Sequence, residues 1–132
     1  MSESLGIIIP DYKSPFLEQV IKNALLLNPE KIVVSNFETP ETLLIQNKFN
    51  HIKSIKFLNF DHRKNPGDYR NEGVQKCFSK NLLFLDSDLR ISSQSIGYIE
   101  NLLKSDLNED TVYWGIYSKS SQGAFSKIQN KI

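Results

Sequence analysis

Short, unbroken apolar runs alternate with longer amphipathic stretches along this chain, and few folds accept that pattern. Leu5 to Ile9 reads Leu-Gly-Ile-Ile-Ile and stops at Pro10, as expected of a strand covered on both faces. Ser14 and Pro15 then read as N-cap and first residue of a helix with its stripe at Leu17, Ile21, Ala24 and Leu25. Ile32-Val33-Val34 is the next solid run, followed by a helix start at Thr39-Pro40-Glu41 that presents Leu43, Leu44 and Phe49. Ile52 to Phe60 reads as a third strand, and Pro66-Gly67 opens a helix running through Val74, Cys77 and Phe78. Asn81 to Leu85 is the most uniformly apolar segment, so the pattern puts it at the sheet centre beside Leu5 to Ile9. Ser92 or Ser93 caps a helix carrying Ile96, Ile99, Leu102 and Leu103, and Thr111 to Tyr117 reads as a last strand. Strand–helix alternation of this kind predicts an α/β sandwich with a mostly parallel central sheet. The expected division is a domain over residues 1–117 and a polar C-terminal tail over 118–132, where no period is visible.

Composition closes off several functions. One domain's worth of core fits in 132 residues, and a net charge of +1 gives no bulk attraction for nucleic acid or an anionic membrane. No apolar run approaches the ~20 residues of a membrane span, and Met-Ser-Glu-Ser is no signal peptide, so the expected location is cytoplasmic. A single cysteine, Cys77, cannot form an internal disulfide, and two histidines make a poor zinc site. Cys77 falls on an apolar helix face and reads as a buried thiol. His51 and His62 read as surface residues, His62-Arg63-Lys64 as a solvated loop, and Trp114 as core.

In a parallel sheet, ligands sit beyond the carboxyl ends of the strands. Those ends deliver Pro10-Asp11-Tyr12, Ser35-Asn36, Asn59 to Asp61, and Asp86-Ser87-Asp88. The last is the sharpest feature. Two carboxylates two residues apart repel each other, and a divalent cation that completes its shell with phosphate oxygens is their natural partner. The alternative is that Asp88 caps the next turn while Asp86 is simply solvated. Arg70 and Asn71, on the first turns of the helix after Pro66, face the same end and suit a phosphate or a base. Gly73 costs helix stability, so it is expected where the helix packs closely on the sheet.

Ile7-Ile8-Ile9-Pro10 with Tyr12, then Ile32-Val33-Val34, then Pro66-Gly67-x-x-Arg70-Asn71-x-Gly73-Val74, then Phe84-Leu85-Asp86-Ser87-Asp88 stand in the order typical of family 2 glycosyltransferases. The chain resembles that family over residues 5 to 117. The resemblance implies a Rossmann-like GT-A three-layer sandwich that binds a nucleotide-diphosphate sugar. By it, Pro10 and Tyr12 would line the base pocket, and Arg70 and Asn71 would flank the nucleotide. Asp86 would face the ribose or diphosphate, and Asp88, helped by Asp86, would ligate Mn2+ or Mg2+.

Two departures follow. Where the family usually carries an acidic pair after the second strand, this chain has Ser35-Asn36-Phe37-Glu38, which leaves Asn36 to meet the base edge. The family also continues into a region with the acceptor site and its general base, whereas here no Asp or Glu follows Asp110. The resemblance therefore implies a donor-binding half whose saccharide or lipid-linked acceptor is unnamed and whose catalytic base is unassigned. A second copy or a partner chain would supply the rest. The alternative is a non-catalytic nucleotide-sugar-binding or interaction domain. A haloacid-dehalogenase phosphatase fits worse, since its Asp-x-Asp belongs to the first strand. No Gly-x-Gly-x-x-Gly follows any strand, which argues against a dinucleotide site.

Overall fold

A computed structural model describes residues 4–89, 91–104, 111–116 and 124–131, the last two segments through their backbone. The described chain divides into two compact units, one of Ser4–Leu89 and one beginning after Leu89. The first contains β1 (Leu5–Asp11), α1 (Leu17–Leu25), β2 (Lys31–Phe37), α2 (Pro40–Phe49), β3 (Ile55–Phe60), α3 (Pro66–Gln75) and β4 (Asn81–Phe84). Its four strands are all parallel, in the order β3-β2-β1-β4. This is the expected α/β architecture with a Rossmann-like sheet flanked by helices.

β1 and β2 form the centre. Every residue of β1 is buried, as are Ile32 to Asn36 of β2. Full burial of a β-branched run on both faces is what its unbroken apolar sequence demands. α1 contributes Leu17, Val20, Ile21 and Ala24, all fully buried, from one stripe. α2 begins where the sequence places it: the Thr39 hydroxyl accepts from the Thr42 amide at 3.1 Å, and the Thr42 hydroxyl accepts from the Thr39 amide at 2.8 Å. Its buried residues are Thr42 and Phe49, however, while the expected Leu43 and Leu44 are exposed.

β4 corrects the expectation most clearly. It pairs with β1, with Leu5 opposite Asn81 and Ile8 opposite Phe84, but it is the edge of this sheet rather than its centre. Its burial alternates, leaving Leu82 and Phe84 39% and 46% exposed. An apolar run reports transfer free energy, not the number of neighbouring strands. The helix start at Ser14 is corrected too. α1 begins at Leu17 behind Phe16; the Ser14 hydroxyl accepts from the Phe16 amide at 3.1 Å ahead of the helix and donates to the Ser87 carbonyl.

α3 lies on β1 and β2. Gly73 makes the approach possible: a Cβ there would stand 2.6 Å from Ile8 Cγ2, in a core shared with Val33, Cys77, Leu58 and Val74. Cys77 is buried, as expected. Phe78 lies beyond the helix and is 93% exposed. Gly73→Ala is expected to destabilise the fold by about 1–2 kcal/mol, since overpacking costs about 1–3 kcal/mol and alanine's helix propensity returns up to about 1. Urea unfolding measures it; an unchanged midpoint would show that α3 can lift off Ile8 freely.

The second unit contains α4 (Ser93–Lys104), β5 (Thr111–Ile116) and β6 (Ala124–Lys131). The Ser92 hydroxyl accepts from the Ser95 amide at 3.1 Å, which starts α4 at the expected place. β5 and β6 pair antiparallel, from Thr111 opposite Lys131 to Ile116 opposite Ala124. β6 lies within the stretch that the sequence leaves without a period. The Trp114 side chain and Tyr117 lie outside the described residues.

Candidate functional site

Because β1 to β4 are parallel, their carboxyl ends share one edge of the sheet, and each delivers a polar residue there. Asp11, Asn36 and Asn59 stand in one register row and so share a face. The Asn36 amide donates to Asn59 Oδ1 at 2.8 Å, and Asn59 Nδ2 donates to Gln46 Oε1 at 2.9 Å. That fixes which way the Asn36 amide points, while its Oδ1 is buried without a partner. Pro10 is buried one step earlier on β1.

Past this row lies an aromatic group. The Tyr12 and Phe37 rings are tilted with centroids 5.3 Å apart, and the Phe60 and Tyr69 rings 6.1 Å apart. Cations lie over them: Arg63 at 4.4 Å from the Tyr12 centroid, Lys13 at 5.4 Å from it, and Lys64 at 4.7 Å from Phe60. Contacts of this kind are worth ~0.5–1 kcal/mol when exposed. Arg63 and Lys64, read from the sequence as a solvated loop, are thus drawn onto the rings at the strand ends.

Arg70 leaves α3 toward β4 and donates from Nη2 to Asp86 Oδ1 at 2.8 Å. Both side chains are more than a third exposed, so the pair is worth about 0–1 kcal/mol and serves mainly to orient the two groups. Asn71 is exposed on the next position of α3. Asp88 is exposed as well and enters no ion pair among the described residues. Between the two carboxylates Ser87 turns inward and is 7% exposed. Its carbonyl accepts from Ser14 Oγ at 2.7 Å.

Asp11 is the site residue that the sequence reading passes over. It is 2% exposed; its Oδ1 accepts from the Ser14 amide at 3.2 Å, and its Oδ2 is buried without a partner among the described residues. The signal was there: an acid that continues a fully buried apolar strand needs a reason. Burial pushes its carboxyl above the ordinary carboxylate value, against the opposing hydrogen bonds from Ser87 and Ser14. The folded chain therefore holds this proton more tightly than the unfolded chain. The stability so gained is complete below the unfolded value and is lost as pH rises through the raised folded value. Asp11→Asn keeps the shape without the charge. Urea unfolding between about pH 3 and 7 should show the variant gaining on the parent as pH rises; a constant difference would contradict this.

Among the described residues no group of three or more His, Cys, Asp and Glu side chains could hold a metal alone. An outward Asp88, beside an Asp86 already held by Arg70, suits a cation that takes most of its ligands from a diphosphate.

The glycosyl transferase family 2 model matches residues 6–131. The chain belongs to that family. Comparison with curated proteins finds no match. Among solved structures, S. aureus TarS 1-349 is similar at a TM-score of 0.62 and 22% identity over 76% of this chain and 32% of that one. A second structure of S. aureus TarS matches at 0.62 and 23%, over 76% of this chain and 19% of that one. The 4-diphosphocytidyl-2C-methyl-D-erythritol synthase of Anaerococcus prevotii DSM 20548 matches at 0.57 and 15%, over 98% and 68%. These likenesses speak to the fold, and the family 2 chain spans about a third of TarS 1-349. No helix among the described residues is long and apolar enough to cross a membrane.

Proposed function

We propose that this family 2 glycosyltransferase domain binds a nucleotide-diphosphate sugar at the carboxyl ends of β1 to β4. The observation that carries the reading is the Arg70–Asp86 pair, which joins the first turns of α3 to the turn after β4, beside an Asp88 with no ion pair among the described residues. In this reading Pro10, Tyr12 and Asn36 meet the base; the Asn36 amide is held by Asn59, and its buried Oδ1 becomes an acceptor for the base when the side chains covering it move aside. Arg70 and Asn71 flank the diphosphate and Asp86 faces the ribose or phosphate. Asp88, with Asp86 beside it, would hold Mn2+ or Mg2+, which when bound neutralises the leaving diphosphate. A nucleobase on Tyr12 must share that ring with Arg63 or displace it. The acceptor, a saccharide or lipid-linked sugar, and the base that deprotonates it are not assigned to residues of this site.

The test is calorimetry with UDP and GDP, with and without Mn2+. The expected outcome is weak binding alone and tighter binding with the cation, since a diphosphate near two carboxylates is repelled until they are neutralised. Absence of binding to either nucleotide under both conditions would refute the reading. Tight binding without turnover in the presence of acceptors would favour a non-catalytic nucleotide-sugar-binding domain.

A further inference from the structure

The turn after β4 has little backbone support of its own. Ladder pairing with β1 ends at Ile8 opposite Phe84, with one more bond from the Leu85 amide to the Ile8 carbonyl at 2.9 Å. Among the described residues, the turn holds a single backbone bond, from the Leu89 amide to the Asp86 carbonyl at 3.2 Å. What fixes Ser87 comes instead from the other side of the crevice. Ser14 Oγ donates to its carbonyl at 2.7 Å. Asp11 in turn holds Ser14 through its amide at 3.2 Å. Lys13, between them, has φ of 57°, a left-handed conformation unusual for a lysine that this bond helps to keep.

We propose that Asp11 is a positioning residue: through Ser14 and Ser87 it braces the Asp86-Ser87-Asp88 turn, so that Asp88 projects toward the metal and diphosphate. The proposal rests on the donor-site reading above for what Asp88 meets, and on geometry alone for the brace. Turning Ser87 inward is what sends its two neighbours outward. Asp11 touches no substrate in this scheme. Its part is to remove the freedom that Asp88 would otherwise lose on binding, which is how a rigid supporting group adds affinity.

Three variants separate the parts. Asp11→Ala removes the acceptor, Ser14→Ala removes only hydroxyl bonds including that to the Ser87 carbonyl, and Asp11→Asn keeps an acceptor oxygen in place. Two measurements are made on the 132-residue chain: amide hydrogen exchange of residues 86–89 without metal, and the gain in UDP affinity on adding Mn2+. Asp11→Ala and Ser14→Ala are expected to exchange these amides about tenfold faster and to lose about tenfold of the Mn2+-dependent gain. Their metal-free UDP affinity should change little, and Asp11→Asn should behave as the parent in both measurements. Should Asp11→Ala not fold, Ser14→Ala carries the test, because its change lies in a half-buried loop. Parental exchange rates, or a parental Mn2+ gain, in both truncation variants would overturn the brace; so would an Asp11→Asn variant as impaired as Asp11→Ala. A parent chain with no Mn2+ gain at all overturns the donor-site reading instead, and the exchange rates still decide whether Asp11 holds the turn.

Discussion

Replacing Asp88 by alanine is expected to make UDP or GDP binding indifferent to Mn2+ while leaving the fold intact. Asp88 is exposed and enters no ion pair among the described residues, so its removal leaves no buried charge or donor unmatched. Its loss should therefore be visible in ligand binding rather than in unfolding. In the proposed site it is the protein's principal contribution to the cation. Without it, Asp86 is left with one oxygen already bound by Arg70. The affinity gained from Mn2+ should fall at least ~10-fold, about 1.4 kcal/mol. Calorimetry with and without Mn2+, together with the urea midpoint of the variant, checks both halves of the expectation. A variant that keeps the full metal response would remove Asp88 from the ligand set.

Acceptor-dependent sugar transfer by the purified 132-residue chain is expected to be undetectable against its donor hydrolysis. Transfer needs the donor held, the diphosphate stabilised and, for inversion, the acceptor hydroxyl deprotonated. The strand-end residues suit the first two tasks. For the third, residues 111–132 contain no Asp or Glu. A missing general base costs ~10²–10⁴-fold, and a missing acceptor site adds the loss of orientation. Water needs no such pocket, so slow hydrolysis should survive. A coupled assay for released nucleoside diphosphate, run with a panel of saccharide and lipid-linked acceptors, distinguishes the outcomes. Strong acceptor-dependent release would mean that this chain, alone or as an oligomer, builds its own acceptor site.

Local signals carried the centre of the fold and failed at its margins, for physical reasons. β1 and β2 were legible because full burial on two faces leaves no polar position, and α2 because Thr39 and Pro40 specify a helix start through nearest neighbours. β4 was placed one position too far inward, since Leu82-Leu83-Phe84-Leu85 is equally apolar at an edge. Ser14 reads as a cap, and its hydroxyl does accept from the nearby Phe16 amide, but it also donates to the Ser87 carbonyl 73 residues away, a bond no local pattern reports. β6 has a polar sequence, and its backbone pairing with β5 follows from no period in it. At the strand ends, Tyr12, Asn36, Arg70 and the two aspartates stand out by position alone. Asp11, Ser14 and Arg63 required coordinates, because each is defined by what it touches.

The topology also orders assembly in time. β1, β2 and β3 are neighbours joined by single crossovers, and each can pair with the one before it as the chain emerges. β4 must return past all of them to reach β1, setting Asn81 beside Leu5. Closing that long loop costs more chain entropy than the pairings before it, and a four-residue edge strand has few bonds to hold it once closed. The turn that bears Asp86 and Asp88 rides on that strand. Partial thaw of β4 would therefore release the Asp86–Asp88 turn while most of the sheet persisted, coupling the lifetime of one short strand to the geometry of the proposed site.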